Sequence, residues 1–328
     1  MSLSVMTWNI ENLFPRGPGD PQEEIDLYQA KLDLLAGTIT VLEPDVIGFQ
    51  ELGSGALADL QQRLPAYTDS HEGVPDRRGI RVGFLSRLPF QGNNADITAF
   101  NGPPPVDEVA GVDNGGNIVQ ITSMGRGAVR VTVNINGINV HIITCHLKSK
   151  LLTFPGGFFS TNDENLRVQV GASALMRRTA ESAQIRREVN QLLTDHPDDG
   201  VIVLGDLNDG PDAATSQLLL GPPGSKIGTL GFDRPDKGDA GRLFNTDILI
   251  AEDRRFSRVH SGVGELLDQI FASEELFPRN GEGGPRILPK VDSHVDFASQ
   301  LPSISDNPNV RIKEIEPDHA PVTAVFNI

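Results

Sequence analysis

Eight polar residues stand at the ends of apolar runs or interrupt them: Asn9, Glu51, His146, Asp206, Asn208, Asp268, Asp318 and His319. Glu51 follows Val46-Ile47-Gly48-Phe49-Gln50, Asp206 follows Val201-Ile202-Val203-Leu204-Gly205, and Asp268 lies between Leu266-Leu267 and Ile270-Phe271. A polar side chain in such a place needs a reason, because burying it without a partner is costly. The residue types suggest one. Carboxylates are hard oxygen ligands for Mg2+ or Mn2+. An acid beside an imidazole fixes the ring's tautomer and favours its protonated form. An amide supplies a neutral N–H donor. Singly, each has an ordinary alternative: a strand-end Asp is a turn former or helix cap, and a lone His beside a strand is a hydrogen-bonded structural residue.

Two stretches with one layout deliver most of this set. Ser4–Asn9 is apolar and alternating, and a helix follows whose Ile25, Tyr28, Leu32, Leu35, Ile39 and Leu42 recur in threes and fours. Asp20 is the expected cap, with Pro21 at the first helical position and Glu23 and Glu24 in the first turn. Pro44 ends the helix, and Asp45–Gln50 is a short strand leading to Glu51. The plan recurs downstream. Asn139–Cys145 is a strand ending at His146, a Gly/Phe-rich loop runs from Phe154 to Phe159, and a helix extends from about Asp163 to Leu193. Leu166, Val170, Ile185, Val189 and Leu192 form its apolar stripe, and Val201–Leu204 is the strand before Asp206.

Further strands are expected at Ile80–Leu85, Val129–Ile135, Asp247–Ala251, Gln269–Ala272 and Val322–Phe326. The Gly/Pro/Asn-rich stretch Gln91–Asn117 and the stretch Phe277–Asn309 read as long loops. The paired strand–helix–strand layout predicts an α/β (α+β) fold: two mixed sheets face to face, helices outside, acids at the strand ends, and a single domain over residues 1–328.

Taken in order, Thr7-Trp8-Asn9-Ile10, Gly48-Phe49-Gln50-Glu51-Leu52, Thr144-Cys145-His146-Leu147, Gly205-Asp206-Leu207-Asn208-Asp209, Leu267-Asp268-Gln269-Ile270 and Pro317-Asp318-His319-Ala320-Pro321-Val322 form a series. It resembles the ordered signatures of the endonuclease/exonuclease/phosphatase superfamily, the deoxyribonuclease I-like metal-dependent phosphoesterases. The resemblance spans Thr7 to Phe326 and implies a four-layer sandwich. It also implies phosphoester hydrolysis, which needs positive charge on the transferring group, a positioned water and a proton donor. Glu51 would bind Mg2+ or Mn2+, Asn9 would help at that metal or hold Glu51, and Asp318 would sit near the metal or its waters. Asp206 would orient or deprotonate the attacking water, and Asn208 would donate its amide to a phosphate oxygen. Asp268 would buttress His319, and His146 would donate to a phosphate oxygen or the leaving group. Which member acts as base is left open.

The abasic-site branch of that family carries Tyr where His146 stands, and the two tyrosines here, Tyr28 and Tyr67, lie far upstream. The resemblance therefore favours the branches that use His, including deoxyribonuclease I, sphingomyelinases and inositol phosphatases. One departure stands out. Deoxyribonuclease I has a Glu beside an Arg to pair with its His, whereas here Arg126 is followed by Gly127.

The net charge of −16 argues against gripping nucleic acid by overall charge. Lys148 and Lys150, just past His146, are the substrate-binding candidates. The arginines of the long helix read as a solvated face with i, i+4 pairs to acids such as Glu181, and the remaining histidines, lacking metal-ligand spacing, as structural or surface residues. A single cysteine, Cys145, suits a reducing compartment, and no segment reads as a leader or membrane span, so a cytoplasmic location is expected. The leading expectation is a nuclease on DNA or RNA. The alternatives are a phosphatase or a sphingomyelinase-like phosphoesterase, for which Phe154, Phe158 and Phe159 could form a membrane loop although core packing or loop anchoring is expected for them, and an inactive binding module of the same fold.

Overall fold

The computed structural model describes residues 2–102, 109–113, 116–260, 262–295 and 315–328. In chain order the elements begin with β1 (Ser2–Leu13), α1 (Gln22–Leu42), β2 (Val46–Leu52), α2 (Ala56–Arg63), β3 (Asp69–Glu72), β4 (Arg81–Ser86) and β5 (Ala95–Ala99). There follow β6 (Val109–Val112), β7 (Ile118–Ile121), β8 (Ser123–Ile135), β9 (Ile138–His146), α3 (Glu164–Asp195), β10 (Gly200–Asp206) and α4 (Ala214–Leu220). The last are β11 (Leu243–Asn245), β12 (Arg258–His260), β13 (Val263–Glu265), β14 (Asp268–Ser273), β15 (Lys290–Ser293) and β16 (Val322–Asn327).

Two six-stranded sheets carry the architecture, in the orders β15-β16-β1-β2-β4-β3 and β11-β14-β10-β9-β8-β5. Each has one parallel pair, β1/β2 and β9/β10, among antiparallel neighbours, so both are mixed. Parallel neighbours need a crossover, and α1 and α3 supply one each. Alternate side chains point to opposite faces of a strand. Val5, Val46 and Phe84 of the first sheet therefore meet Val131, Ile142, Ile202 and Ile270 of the second in a shared apolar layer. The other faces are also covered. Met6, Trp8, Ile47 and Phe49 pack on Leu32, Leu35 and Ile39 of α1, and Ile143, Cys145, Val201 and Val203 pack on Ala180, Ile185 and Val189 of α3. The result is a four-layer sandwich of helix, sheet, sheet and helix.

Gly48 marks how closely the two sheets approach. A Cβ there would lie 2.3 Å from Leu204 Cδ1 and 2.7 Å from Thr144 Oγ1, both on the opposite sheet. Overpacking a tight core costs about 1–3 kcal/mol, so Gly48→Ala is expected to lower the urea midpoint by a corresponding amount. An unchanged midpoint would show that the sheets yield at this point.

Four local expectations are corrected. Asp247–Ala251 is not a strand: Leu243–Asn245 takes the sheet edge, and Asp247–Leu249 is a 3-10 turn. The Asn245 side chain accepts from Asp247 N, and Thr246 Oγ1 caps Ile270 O, so side chains turn the backbone out of the ladder. Asp20 does not cap α1. Its carboxylate accepts from Gly17 N in the preceding turn, and Pro21 takes the cap position. The stretch Gln91–Asn117 contains β5 and β6, and Phe277–Asn309 contains β15, with its residues 296–309 outside those described. Phe154 is buried as expected, but Phe158 and Phe159 are 68% and 67% exposed. Among the described residues, no helix is long and apolar enough to cross a membrane.

Candidate active site

The inner faces of the sheets change character along the strands. In β1 the inward positions run Val5, Thr7, Asn9; in β9 they run Ile142, Thr144, His146; in β10, Ile202, Leu204, Asp206; and in β14, read backward, Ala272, Ile270, Asp268. Apolar layers give way to polar ones at the carboxyl ends of the parallel strands. Between the two regimes Gln50 donates to Thr144 Oγ1 across the sheets at 2.9 Å and lies 3.3 Å from Thr7 Oγ1.

Backbone irregularities then aim the acids. The β1/β2 ladder runs to Asn9↔Gln50, breaks, and resumes at Leu13↔Leu52. Within that bulge Glu11, Asn12 and Glu51 adopt left-handed backbone, Glu51 with φ 65°. Bulges of this kind re-aim side chains beside active sites. Asn12 N donates to Glu51 Oε2, and Glu51 Oε1 lies 4.0 Å from His146 Nε2. Asn208, just past β10, is likewise left-handed at φ 54°. Such strain concentrates at functional sites.

His146, Asp206 and Asp268 form one row across the second sheet, since Asp206 pairs in register with both of the others. Two buried carboxylates side by side repel. His319, arriving from the turn before β16, resolves this. Its Nδ1 lies 2.6 Å from Asp268 Oδ2, and its Nε2 lies 4.0 Å from Asp206 Oδ2 and 3.8 Å from Asp318 Oδ1. Burial alone would push this imidazole down, but Asp268, Asp318 and Asp206 outweigh it and raise its pKa to about 10. Burial, reinforced by Asp268, raises Asp206 to about 6, although His319, Asn9 and the Asn208 amide pull it down. Trp8 Nε1 donates to His319 O, and Ser257 Oγ accepts from Asp268 N, so both partners are held by neighbouring elements.

Asp206 is the hub. Oδ2 accepts from Asn9 Nδ2 at 2.9 Å and lies 3.3 Å from His146 Nε2, while Oδ1 accepts from Asn208 N at 2.8 Å. Asn208 Nδ2 donates to Leu147 O, which leaves its second N–H. The fold thus gathers Asn9, Glu51, His146, Asp206, Asn208, Asp268 and His319. Asp318 lies on the His319 side, with its carboxylate 3.1 Å from Arg258. The lysines are engaged within the protein. Lys148 Nζ donates to Ser149 O and Leu151 O, and Lys150 Nζ lies 3.2 Å from Glu265 and 3.5 Å from Asp209.

Several contributors escaped sequence reasoning. Arg126 abuts His146 Nε2 and lies 3.7 Å from Asp76. Burial first, then Arg126, His319, Arg78 and Lys148, pushes His146 well below its ordinary value, so the ring is neutral. The solvated-face reading of the α3 arginines fails at Arg178. It is buried, donates to Asp209 at 2.6 Å and to Lys148 O, and ties the loops after β9 and β10 to the helix. Glu181, also buried, accepts from Gly125 N and Lys148 N. The Asp209 that completes Gly205-Asp206-Leu207-Asn208-Asp209 was the one available signal.

Among the described residues, two His/Asp groups bring candidate donor atoms within 4.8 Å of one another and are capable of holding a divalent ion: Asp206/Asp268/His319 and His141/His196/Asp199. At the first, a protonated His319 has no lone pair to give, so any ion there must use oxygen. Glu51, partly exposed at the rim, adds another oxygen donor. Hard oxygen donors of this kind fit Mg2+ or Mn2+.

Human Nocturnin's catalytic domain with a bound sulfate anion shares the fold at 14% identity, TM-score 0.54, covering 99% of this chain and 94% of that one. So does D. rerio TDP2 complexed with a single strand DNA product, at 17% identity and TM-score 0.54, covering 100% and 99%. An endonuclease/exonuclease/phosphatase from Bacteroides vulgatus does so at 14% identity and TM-score 0.57, covering 100% and 99%. At these identities the likeness shows the fold alone. No curated protein matches the sequence at a significant level. The model of the Endonuclease/Exonuclease/phosphatase family matches residues 6–306, from the first site strand to beyond Asp268. The Asp318-His319 turn lies past that span but is bonded into the same row of acids. On the extent of that match, the chain belongs to the endonuclease/exonuclease/phosphatase family.

Proposed function

We propose that this chain is a metal-dependent phosphodiesterase whose substrate is nucleic acid, with residues 1–328 acting as one catalytic unit. The observation that carries the reading is the buried Asp206–His319–Asp268 arrangement at the carboxyl ends of the parallel strands. An acid raised to about 6 is basic enough to take a proton from water and weak enough to release it near neutral pH. An imidazolium raised to about 10 stays charged and stabilises negative charge building on a phosphoryl oxygen. Asp268 keeps that imidazolium in place. Asn208 offers its free N–H to the phosphoryl oxygens or the departing oxygen, and neutral His146, whose Nε2 now faces the Arg126 guanidinium, would donate there only on release of that contact. Glu51, with Asn9 and Asp318, would hold Mg2+ or Mn2+, which when bound supplies Lewis-acid stabilisation of the transferring group.

The nucleic-acid assignment rests on charge. Arg78 and Arg126 lie close enough to His146 to depress its pKa, which makes a cationic rim in an otherwise acidic chain. The bound DNA product of D. rerio TDP2 and the sulfate of human Nocturnin supply the analogy. Lys148 and Lys150 would join that rim only on leaving their present partners. A second reading, a lipid phosphodiesterase, is favoured by Leu151, Phe158 and Phe159, exposed on the loop that follows His146. A panel separates them: plasmid, single-stranded oligonucleotide, chromogenic diester, chromogenic monoester, inositol phosphates and sphingomyelin vesicles with Mg2+ or Mn2+. Turnover of the nucleic acids ahead of monoesters is expected. Turnover confined to lipid or monoesters would overturn the nuclease reading, and none on any substrate would favour a binding module.

A further inference from the structure

A second cluster lies at the other end of the strands that carry the active site. His141 is near the start of β9, five residues before His146, which at about 3.3 Å per residue places it roughly 17 Å away along the strand. Its side chain is on the outer face, under α3. His196 follows the last turn of that helix as its C-cap, and Asp199 sits just before β10. We propose that His141, His196 and Asp199 form a transition-metal site, with zinc the best-fitting ion, that clamps the end of α3 to the second sheet.

Three observations support the assignment. First, the spacing suits a small metal. His141 Nε2 lies 3.2 Å from Asp199 Oδ2, and His196 Nδ1 lies 3.8 Å from the same oxygen. Tetrahedral ligands at about 2.0–2.1 Å from zinc sit roughly 3.4 Å apart. Only the His196 ring, on the exposed side, needs to close in. Second, the donors sit on ordered backbone. His196 N bonds Leu192 O, Asp199 N bonds His196 O, and Pro197 between them restricts the turn. Third, the buried ring has an orienting partner. Thr132 Oγ1, directly across the β8/β9 ladder, lies 2.8 Å from His141 Nδ1. A hydroxyl both donates and accepts, so it can hold the tautomer that frees Nε2 for a metal, as outer-shell groups do at zinc sites. Asn139 Nδ2, 3.4 Å from Asp199 Oδ2, steadies the carboxylate.

Two imidazoles and one carboxylate select zinc, nickel, cobalt or copper over Mg2+, which prefers all-oxygen coordination. The exposed side of His196 leaves room for water as the remaining ligand. The role is structural, since none of the three residues belongs to the acidic row at the far end.

The test is calorimetric titration of the full chain with ZnCl2 in excess MgCl2, which occupies the oxygen-rich catalytic centre. Wild type and Glu51→Gln should each take up one equivalent of zinc and melt at a higher temperature with it. His196→Ala, a half-exposed position that should fold normally, and Asp199→Asn should bind that equivalent at least about a hundredfold more weakly, since outer-shell changes alone cost roughly 10–100-fold. Both variants should keep wild-type hydrolysis in Mg2+. Cobalt should give visible absorption bands in wild type that are absent from His196→Ala. The proposal is overturned if wild type takes up no zinc under magnesium, or if both variants bind it with wild-type affinity.

Discussion

Asp206→Asn should reduce turnover by roughly 10²–10⁴-fold, the range for losing a group that moves a proton in the transition state, without lowering stability at neutral pH. The sign follows from its environment. Asp206 has a folded-state pKa raised above its unfolded value, to about 6. The folded state therefore holds that proton more tightly, and ionising the carboxylate costs stability as pH rises through this range. An amide removes that cost and keeps an oxygen for the Asn208 amide, while Asn9, whose Nδ2 met the replaced oxygen, must turn its own amide to accept from the new N–H. His319→Ala should show a comparable loss of rate but should also destabilise the fold. It removes the buried cation between Asp206 and Asp268, and deleting one partner of a buried ionic group typically costs about 3–5 kcal/mol. Asp268→Asn should fall between wild type and His319→Ala in rate, since it removes the orienting charge and leaves the imidazole. In wild type, activity should fall on the acid side of about pH 6 as Asp206 takes up its proton, or lower still with the metal in place, because a nearby cation favours the carboxylate. Wild-type turnover by His319→Ala would remove the ring from the mechanism.

The second large effect concerns the metal. Chelation with EDTA should reduce hydrolysis to background, and Mg2+ or Mn2+ should restore it. The melting temperature of zinc-free protein should barely change. The reason lies in the cores: the shared layer and both outer layers are apolar side chains packed on one another, and His319 already offsets the acids when no ion is present. Circular dichroism melts and turnover on the same samples provide the check. Hydrolysis that persists in EDTA would contradict a metal-dependent reaction.

Much of this architecture was legible because strands buried on both faces read as unbroken apolar runs. Val46–Gln50 and Val201–Gly205 announce themselves, and the acid that ends each run is conspicuous. The crossover helices were legible through spacing, as at Leu32, Leu35 and Ile39. The failures have a common cause, since each was decided by partners distant in sequence. Asp247–Ala251 has the composition of a strand, but side-chain bonds at the sheet edge turned it. Arg178 looks like any helical arginine until Asp209, from another loop, draws it inward. Arg126 was noticed for lacking an adjacent Glu, and nothing local showed that its guanidinium would reach His146. The reading of His141 as structural stands, buried against Thr132 and Asp199, but its Asp199 partner lies beyond a 32-residue helix, so no local spacing could link the two.

One contact has a practical consequence. The chain has a single tryptophan, Trp8, fully buried on β1, with its indole bonded to the backbone oxygen of His319. Tryptophan emission from this protein, excited at wavelengths that tyrosine does not absorb, therefore has one source, fixed between its first strand and the turn that carries the site's last histidine. Solvent reaching that indole, as the turn lifts or the strand frays, shifts the emission to the red. The protein thus carries an intrinsic optical gauge of whether its first strand and the His319 turn are docked, readable in stopped flow without an attached dye.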